Sequence, residues 1–171
     1  MYFSGFCFHN EESIFEDFIQ NLNKYDIYGF SYGAQKAFEW VYQGLGRDRI
    51  QRLILFSPAI FNNKSKTYKE IQINAFKKDY KKYIEKFLYL AGFEDTMKKY
   101  FYEGNLKELQ NLLGYTWDND KLKQISEYGV EIEVYLGGCD KIVDTSYACD
   151  FFAPYGRIYF IKSANHFLKI K

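Results

Sequence analysis

Apolar and polar positions along the chain switch between two periods, and the switches mark out the elements. Tyr2 to Cys7 is short, apolar and aromatic, and predicts a buried strand. Asn10 then stands as an N-cap before a predicted helix from about Glu11 to Leu22. Its apolar stripe is Ile14, Phe15, Phe18, Ile19 and Leu22, while Glu11 and Glu12 suit its positive end. A second strand, Tyr25 to Phe30, runs into a glycine-flanked turn. The helix that follows, Ala34 to Leu45, turns Ala37, Phe38, Val41 and Leu45 inward and stops at Gly46. Ile50 to Phe56 predicts a third strand, closed by Ser57-Pro58.

From about Asn62 to Gly129 the pattern is helical throughout. Phe76, Tyr80, Tyr83, Phe87 and Leu90 recur at helical spacing, with Lys77, Lys78, Lys81 and Lys82 between them. Two or three further helices follow, broken near Gly92, Gly104 and Gly114. Residues 62–129 thus read as a helical lid insertion between two strands of a sheet. Strand pattern returns at Val130, Ile132, Val134 and Leu136, followed by a helix from about Asp144 to Phe152 and a last strand, Arg157 to Ile161. Strands alternating with helices predict a single α/β domain over residues 1–171 with about five mostly parallel strands.

Composition narrows this picture. The hydrophobic fraction of 47% and charged fraction of 26% are those of a soluble globular protein. No apolar run approaches a membrane span, and the first residues lack the basic and apolar regions of a secretion signal. Cys7, Cys139 and Cys149 show no C-x-x-C spacing and leave an odd thiol, which suits reduced cysteines in the cytoplasm. Two histidines and no Cys/His cluster predict no metal site. No cofactor, nucleic acid or membrane is expected as a partner. The 17 Tyr and 17 Phe suit either an aromatic substrate channel or an A/T-rich coding bias. Net charge is +1, yet the segment from Asn62 to Lys86 carries eight lysines against three acids. That local basic surface points to an acidic partner or to a solvated helix face.

The chemistry centres on Gly29-Phe30-Ser31-Tyr32-Gly33. Between a predicted strand and a predicted helix, G-x-S-x-G reads as a nucleophile elbow, a turn so sharp that the serine hydroxyl stands clear of the sheet. The flanking glycines fit because a Cβ at either place would collide with a neighbouring element. A serine needs a base to take its proton, and the base needs a partner to fix its tautomer. Ser31, Asp140 and His166 occur in that order, each just after a predicted strand, so a parallel sheet brings them to one edge. Asp144 competes with Asp140 for the acid. His9, after the first strand, lies close enough to touch substrate. Oxyanion donors are expected from the backbone N–H of Tyr32 and of Phe6, where Gly5 permits the turn; an ordinary strand-ending glycine is the plainer reading of Gly5.

On these residues the chain resembles an α/β-hydrolase carboxylesterase. Within that superfamily it is similar to the short-form pimeloyl-[acyl-carrier protein] methyl ester esterases of biotin synthesis. The stretches that carry the likeness are Phe3-Ser4-Gly5-Phe6, Gly29 to Ala34, Leu55-Phe56-Ser57-Pro58, Gly137 to Ile142 and Asn165-His166. The resemblance implies that Ser31 attacks the methyl ester of a pimeloyl chain held on acyl-carrier protein. The carrier is acidic, so Lys77, Lys78, Lys81 and Lys82 would offer it a docking face. Another acyl esterase or a thioesterase would use the same triad, and a non-catalytic carrier-binding module would explain the lysines but not the triad.

The chain departs from the superfamily in having Ser4-Gly5 rather than His-Gly at the oxyanion loop. Only about 20 residues separate Gly5 from the nucleophile strand, which leaves no room for another strand and helix. A reduced α/β-hydrolase fold of five strands follows. If every crossover steps the same way with the usual hand, all helices fall on one face. The other, apolar face would then seek cover, for instance from a second copy of the chain.

Overall fold

The computed structural model describes residues 1–19 and 21–170; Gln20, inside the predicted first helix, and Lys171 lie outside the described residues. Five strands form one sheet in chain order: β1 (Tyr2–Phe3), β2 (Asp26–Phe30), β3 (Arg52–Phe56), β4 (Glu131–Gly137) and β5 (Arg157–Ile161). All four pairings are parallel. Six α-helices accompany them among the described residues: α1 (Tyr32–Gly44), α2 (Lys66–Lys78), α3 (Tyr80–Ala91), α4 (Leu106–Gly114), α5 (Asn119–Glu127) and α6 (Thr145–Phe152). None is long and apolar enough to cross a membrane.

Strand alternation divides the core in two. Ile27, Leu53, Leu55, Ile132, Val134 and Leu136 point to one face and pack under α1, α5 and α6, through Ala37, Phe38 and Val41, Leu122 and Ile125, and Ala148 and Phe152. The last helix of the stretch between β3 and β4 therefore covers the sheet, while α2, α3 and α4 gather around Phe6 and Tyr32 beyond its edge.

The second face is not bare, and this corrects the expectation of helices on one side only. Between β1 and β2 the chain forms a 3-10 helix, Glu11–Phe18, which packs against Phe30, Ile54 and Phe56 together with Phe167 and Leu168. Phe15 stacks on Phe56 with ring centres 4.6 Å apart, and Phe18 meets Tyr135 at 5.3 Å. Both β1→β2 and β2→β3 step the same way across the sheet, yet their connections lie on opposite faces, so the two crossovers have opposite hands. The short link from Phe3 to Asp26 dips under the second face because its phenylalanines are drawn to Phe30 and Phe56. Near the start of the strands that face turns polar: Arg52 donates to the buried Asp26 through Nε at 3.2 Å and stands 3.6 Å from Glu133. The apolar face that a second copy was expected to cover is closed by the chain itself.

Two predicted elements are shorter than the pattern suggested. β1 ends at Phe3 because the chain turns away at Gly5, whose carbonyl accepts from Phe8 N–H at 3.2 Å, and Cys7 takes a positive φ of 64°. Phe6, Cys7 and Phe8 are buried, but outside the sheet. Asn10 does not cap a helix: it is left-handed, with no side-chain cap bond, and the helix is 3-10 rather than α. Glu11, expected at the positive end of that helix, is fully buried.

Candidate active site

β2 delivers Ser31 at its carboxyl end and α1 starts at the next residue. The backbone of Ser31 is strained, at φ 52° and ψ −111°. It is held there from both sides: its N–H donates to Phe56 O at 2.9 Å, and its carbonyl accepts from Ala34 and Ala59 N–H at 3.1 Å each. The glycines explain themselves geometrically. A Cβ on Gly29 would lie 2.5 Å from Gly33 O, and one on Gly33 only 1.9 Å from Phe3 O. Side chains at either place would push α1 off β2 or off β1.

His166 lies in the loop after β5 and is fully buried beside Phe30. Its Nε2 is 3.0 Å from Ser31 Oγ and its Nδ1 is 2.6 Å from Asp140 Oδ2. Asp140 sits just past β4, its side chain wholly enclosed. Its other oxygen accepts from Ile142 and Val143 N–H at 2.7 and 3.0 Å. The carboxylate thus accepts on every side, so Nδ1 carries the imidazole proton and Nε2 is left to accept from the Ser31 hydroxyl. Asp144 is elsewhere: it caps α6 through Tyr147 N–H and stands 3.9 Å from Lys64.

Asn165 secures the histidine loop. Its Oδ1 accepts from Phe167 and Lys169 N–H at 2.9 and 3.2 Å, and its Nδ2 donates to Gly92 O at the end of α3. This residue was quoted in the sequence only as the neighbour of His166; its role as a clasp between loop and helix needed the tertiary structure.

Ser31 opens onto a cavity of about 460 Å³. Its walls come from Phe6, Phe61, Phe87, Leu109, Leu112 and Ile142, and Tyr68 and Tyr83 add their rings. Burial raises both phenols above their ordinary range, so they stand in the wall uncharged. Many other aromatics pack on the two faces of the sheet instead. Exposed Lys78, Lys82, Lys86 and Lys141 also line the cavity, against one acid, Asp79, whose carboxylate caps α3. Of the four lysines singled out in the sequence, Lys78 and Lys82 reach the cavity, while Lys77 and Lys81 are exposed away from it. Lys78, Lys82 and Lys86 are spaced by four, a signal the sequence carried; Lys141 is brought in by the fold.

The N–H groups of Phe6 and Tyr32 have no hydrogen-bond partner among the described residues. Tyr32 opens α1, where the first N–H groups are unpaired by construction. His9 is exposed, lies against Tyr102 and does not line the cavity. Cys7 is no rival nucleophile, since burial pushes its thiol up to about 12.

No protein-family model and no curated protein matches the sequence. Solved structures do match the fold. An esterase from Exiguobacterium antarcticum superimposes with a TM-score of 0.68 at 18% identity, over 90% of this chain and 65% of that one. Naproxen esterase from Bacillus subtilis gives 0.55 at 18%, over 89% and 57%. BioG from Haemophilus influenzae gives 0.60 at 11%, over 97% and 87%. The fold is that of the α/β-hydrolases. The chain spans two thirds or less of the length of the two esterases, but nearly nine tenths of BioG. Identities this low speak for the fold alone.

Proposed function

We propose that the protein is a serine carboxylesterase, with Ser31 as nucleophile, His166 as base and Asp140 as the acid that orients it. The observation that carries the reading is the unbroken chain of hydrogen bonds from Asp140 through His166 to Ser31, ending at an apolar cavity. Ser31 Oγ gives its proton to His166 Nε2 and bonds to the ester carbon. The N–H groups of Phe6 and Tyr32 receive the oxygen as it becomes charged. His166 then protonates the departing alkoxide, which leaves as an alcohol. Water repeats the sequence on the acyl-enzyme and frees the carboxylate.

The finer reading is that the ester is the methyl ester of a pimeloyl chain on acyl-carrier protein. The sequence resemblance supports it, and so does the cavity, whose apolar walls suit an acyl chain. The lysines at its exposed end suit an acidic carrier and the phosphate of its pantetheine arm. Of residues 62–129, helices α2, α3 and α4 then act as lid and docking face together, while α5 stays with the sheet. A non-catalytic carrier-binding module is disfavoured by the 3.0 Å Ser31–His166 contact, which such a module has no use for.

A fluorophosphonate probe is expected to label Ser31 in the wild-type chain. Hydrolysis of pimeloyl-carrier methyl ester, measured beside free esters and thioesters, tests the substrate. Faster turnover of thioesters would move the assignment to a thioesterase, and absence of both labelling and hydrolysis would sink the enzyme reading.

Reversing Lys78, Lys82 and Lys86 to Glu is expected to raise KM for the carrier-bound ester by about tenfold or more at low salt, the scale of electrostatic steering. The loss should shrink as ionic strength rises and the Debye length falls. A small uncharged ester should suffer much less. Equal loss on both substrates would mean that these lysines shape the cavity rather than receive the carrier.

A further inference from the structure

The loop that supplies the Phe6 N–H is glycine-hinged, and something must hold it. Gly5 has few conformational restraints of its own, so the Gly5–Phe6 peptide could rotate at little cost. In a trans peptide the carbonyl and the N–H point opposite ways. Gly5 O is tied to Phe8 N–H, which turns the Phe6 N–H to the other side. The preceding peptide is tied as well: Gly5 N–H donates to Glu11 Oε1 at 2.7 Å, wholly inside the protein. Tyr2 OH donates to the same oxygen at 2.8 Å, and Asn10 N–H reaches Ser4 Oγ at 3.2 Å.

Glu11 is an odd residue for this place if packing is all it does. It is fully buried, and its Oε2 has no partner among the described residues. A buried carboxylate oxygen without a partner costs stability. A leucine would fill the space without that cost, but could not accept from Gly5 N–H.

We propose that Glu11 is a positioning residue for the oxyanion loop: its buried carboxylate locks the peptide before Gly5 and so fixes one side of the hinge, while the Phe8 N–H holds the other, so that the Phe6 N–H stays turned toward the reacting oxygen. The proposal rests on the esterase reading. Glu11 touches no substrate and acts only through Gly5.

The test compares wild type with Glu11→Ala, Glu11→Met and Glu11→Gln, on p-nitrophenyl butyrate and on an alkyl trifluoromethyl ketone. The ketone accepts Ser31 Oγ at its carbonyl carbon, the serine proton passes to His166, and the ketone oxygen becomes an oxyanion. Its Ki therefore reports the oxyanion site. Glu11→Ala is expected to lower kcat by about tenfold to a hundredfold, a share of the 10²–10³ that follows loss of a whole donor. KM should hold, and Ki should rise by the factor that kcat falls. Glu11→Met keeps the volume and should behave alike. Glu11→Gln keeps an acceptor oxygen and should restore most of the activity. Wild-type kcat in a folded alanine or methionine variant would overturn the proposal. So would a fall in kcat with Ki unchanged, or failure of both variants to fold, which would make Glu11 a residue of the fold alone. A wild-type chain that hydrolyses no ester and takes no fluorophosphonate label would instead bring down the reading beneath it.

Discussion

Ser31→Ala is expected to lower kcat on an ester by about 10⁴- to 10⁶-fold, because nucleophile, base and acid act as one unit. Thermal stability should stay close to wild type, since the change removes one oxygen and leaves the clamped backbone intact. His166→Ala should lose as much activity and also some stability. It opens a hole beside Phe30 and leaves the enclosed Asp140 carboxylate without its imidazole partner. Asp140→Asn is the more telling variant. The amide would keep its oxygen on Ile142 and Val143 N–H and present its NH₂ to His166 Nδ1. The ring proton would then move to Nε2, where it blocks acceptance from Ser31, at a cost of about 10⁴ in kcat. Asp144→Asn should leave kcat alone: asparagine caps a helix about as well as aspartate, and the change loses mainly the charge facing Lys64. Steady-state kinetics on p-nitrophenyl butyrate, with mass spectrometry of the fluorophosphonate adduct, checks all four. A loss in Asp144→Asn that matches Asp140→Asn would reverse the assignment of the acid.

Gly33→Ala is expected to damage both fold and activity. The new Cβ would sit 1.9 Å from Phe3 O and 2.6 Å from Ser4 O. Both are backbone atoms, so no side chain can swing aside. β1, with only two residues paired to β2, would have to shift, carrying the loop to Phe6 with it. Overpacking of this kind costs about 1–3 kcal/mol. For a chain of this size that is a fall in Tm of roughly 6–12 °C at the upper end. The accompanying loss of kcat should exceed what partial unfolding explains, because the displaced loop carries an oxyanion donor. Thermal melts monitored by circular dichroism, beside kcat measured well below Tm, separate the two effects. An alanine variant with wild-type Tm would mean that β1 does not press on α1 as described.

Where the sequence misled, one pattern served two geometries. Ile14, Phe15 and Phe18 satisfy a 3.6-residue period and a 3-residue period equally well, so they could not separate an α-helix from the observed 3-10 helix. Phe6, Cys7 and Phe8 prolonged an apolar run that looked like strand. Their burial comes from the cavity and the second core, with no sheet involved. Lys77 and Lys81 lie among the lysines of one charged run, but α2 ends and α3 begins at Asp79, and that break helps set which of them meet the cavity. Glu11 looked like an ordinary first-turn acid. Nothing local distinguishes a glutamate that faces water from one folded back under Gly5.

The sequence by itself determined the α/β alternation and the order of chemistry along the chain. Hydrophobic period is a local property, and the glycines around Ser31 answer a steric demand made within a few residues. The ends of parallel strands share one edge, so placing Ser31, Asp140 and His166 each after a strand was enough to bring them near one another. Only the tertiary structure decided the 2.6 and 3.0 Å contacts among those three, the hand of the first crossover and the closing of the second face. It also decided which lysines meet the cavity and what Glu11 holds. Each of these depends on contacts between residues far apart in the chain, made where two packed layers compete for the same side chain, and no local period records the outcome of that competition.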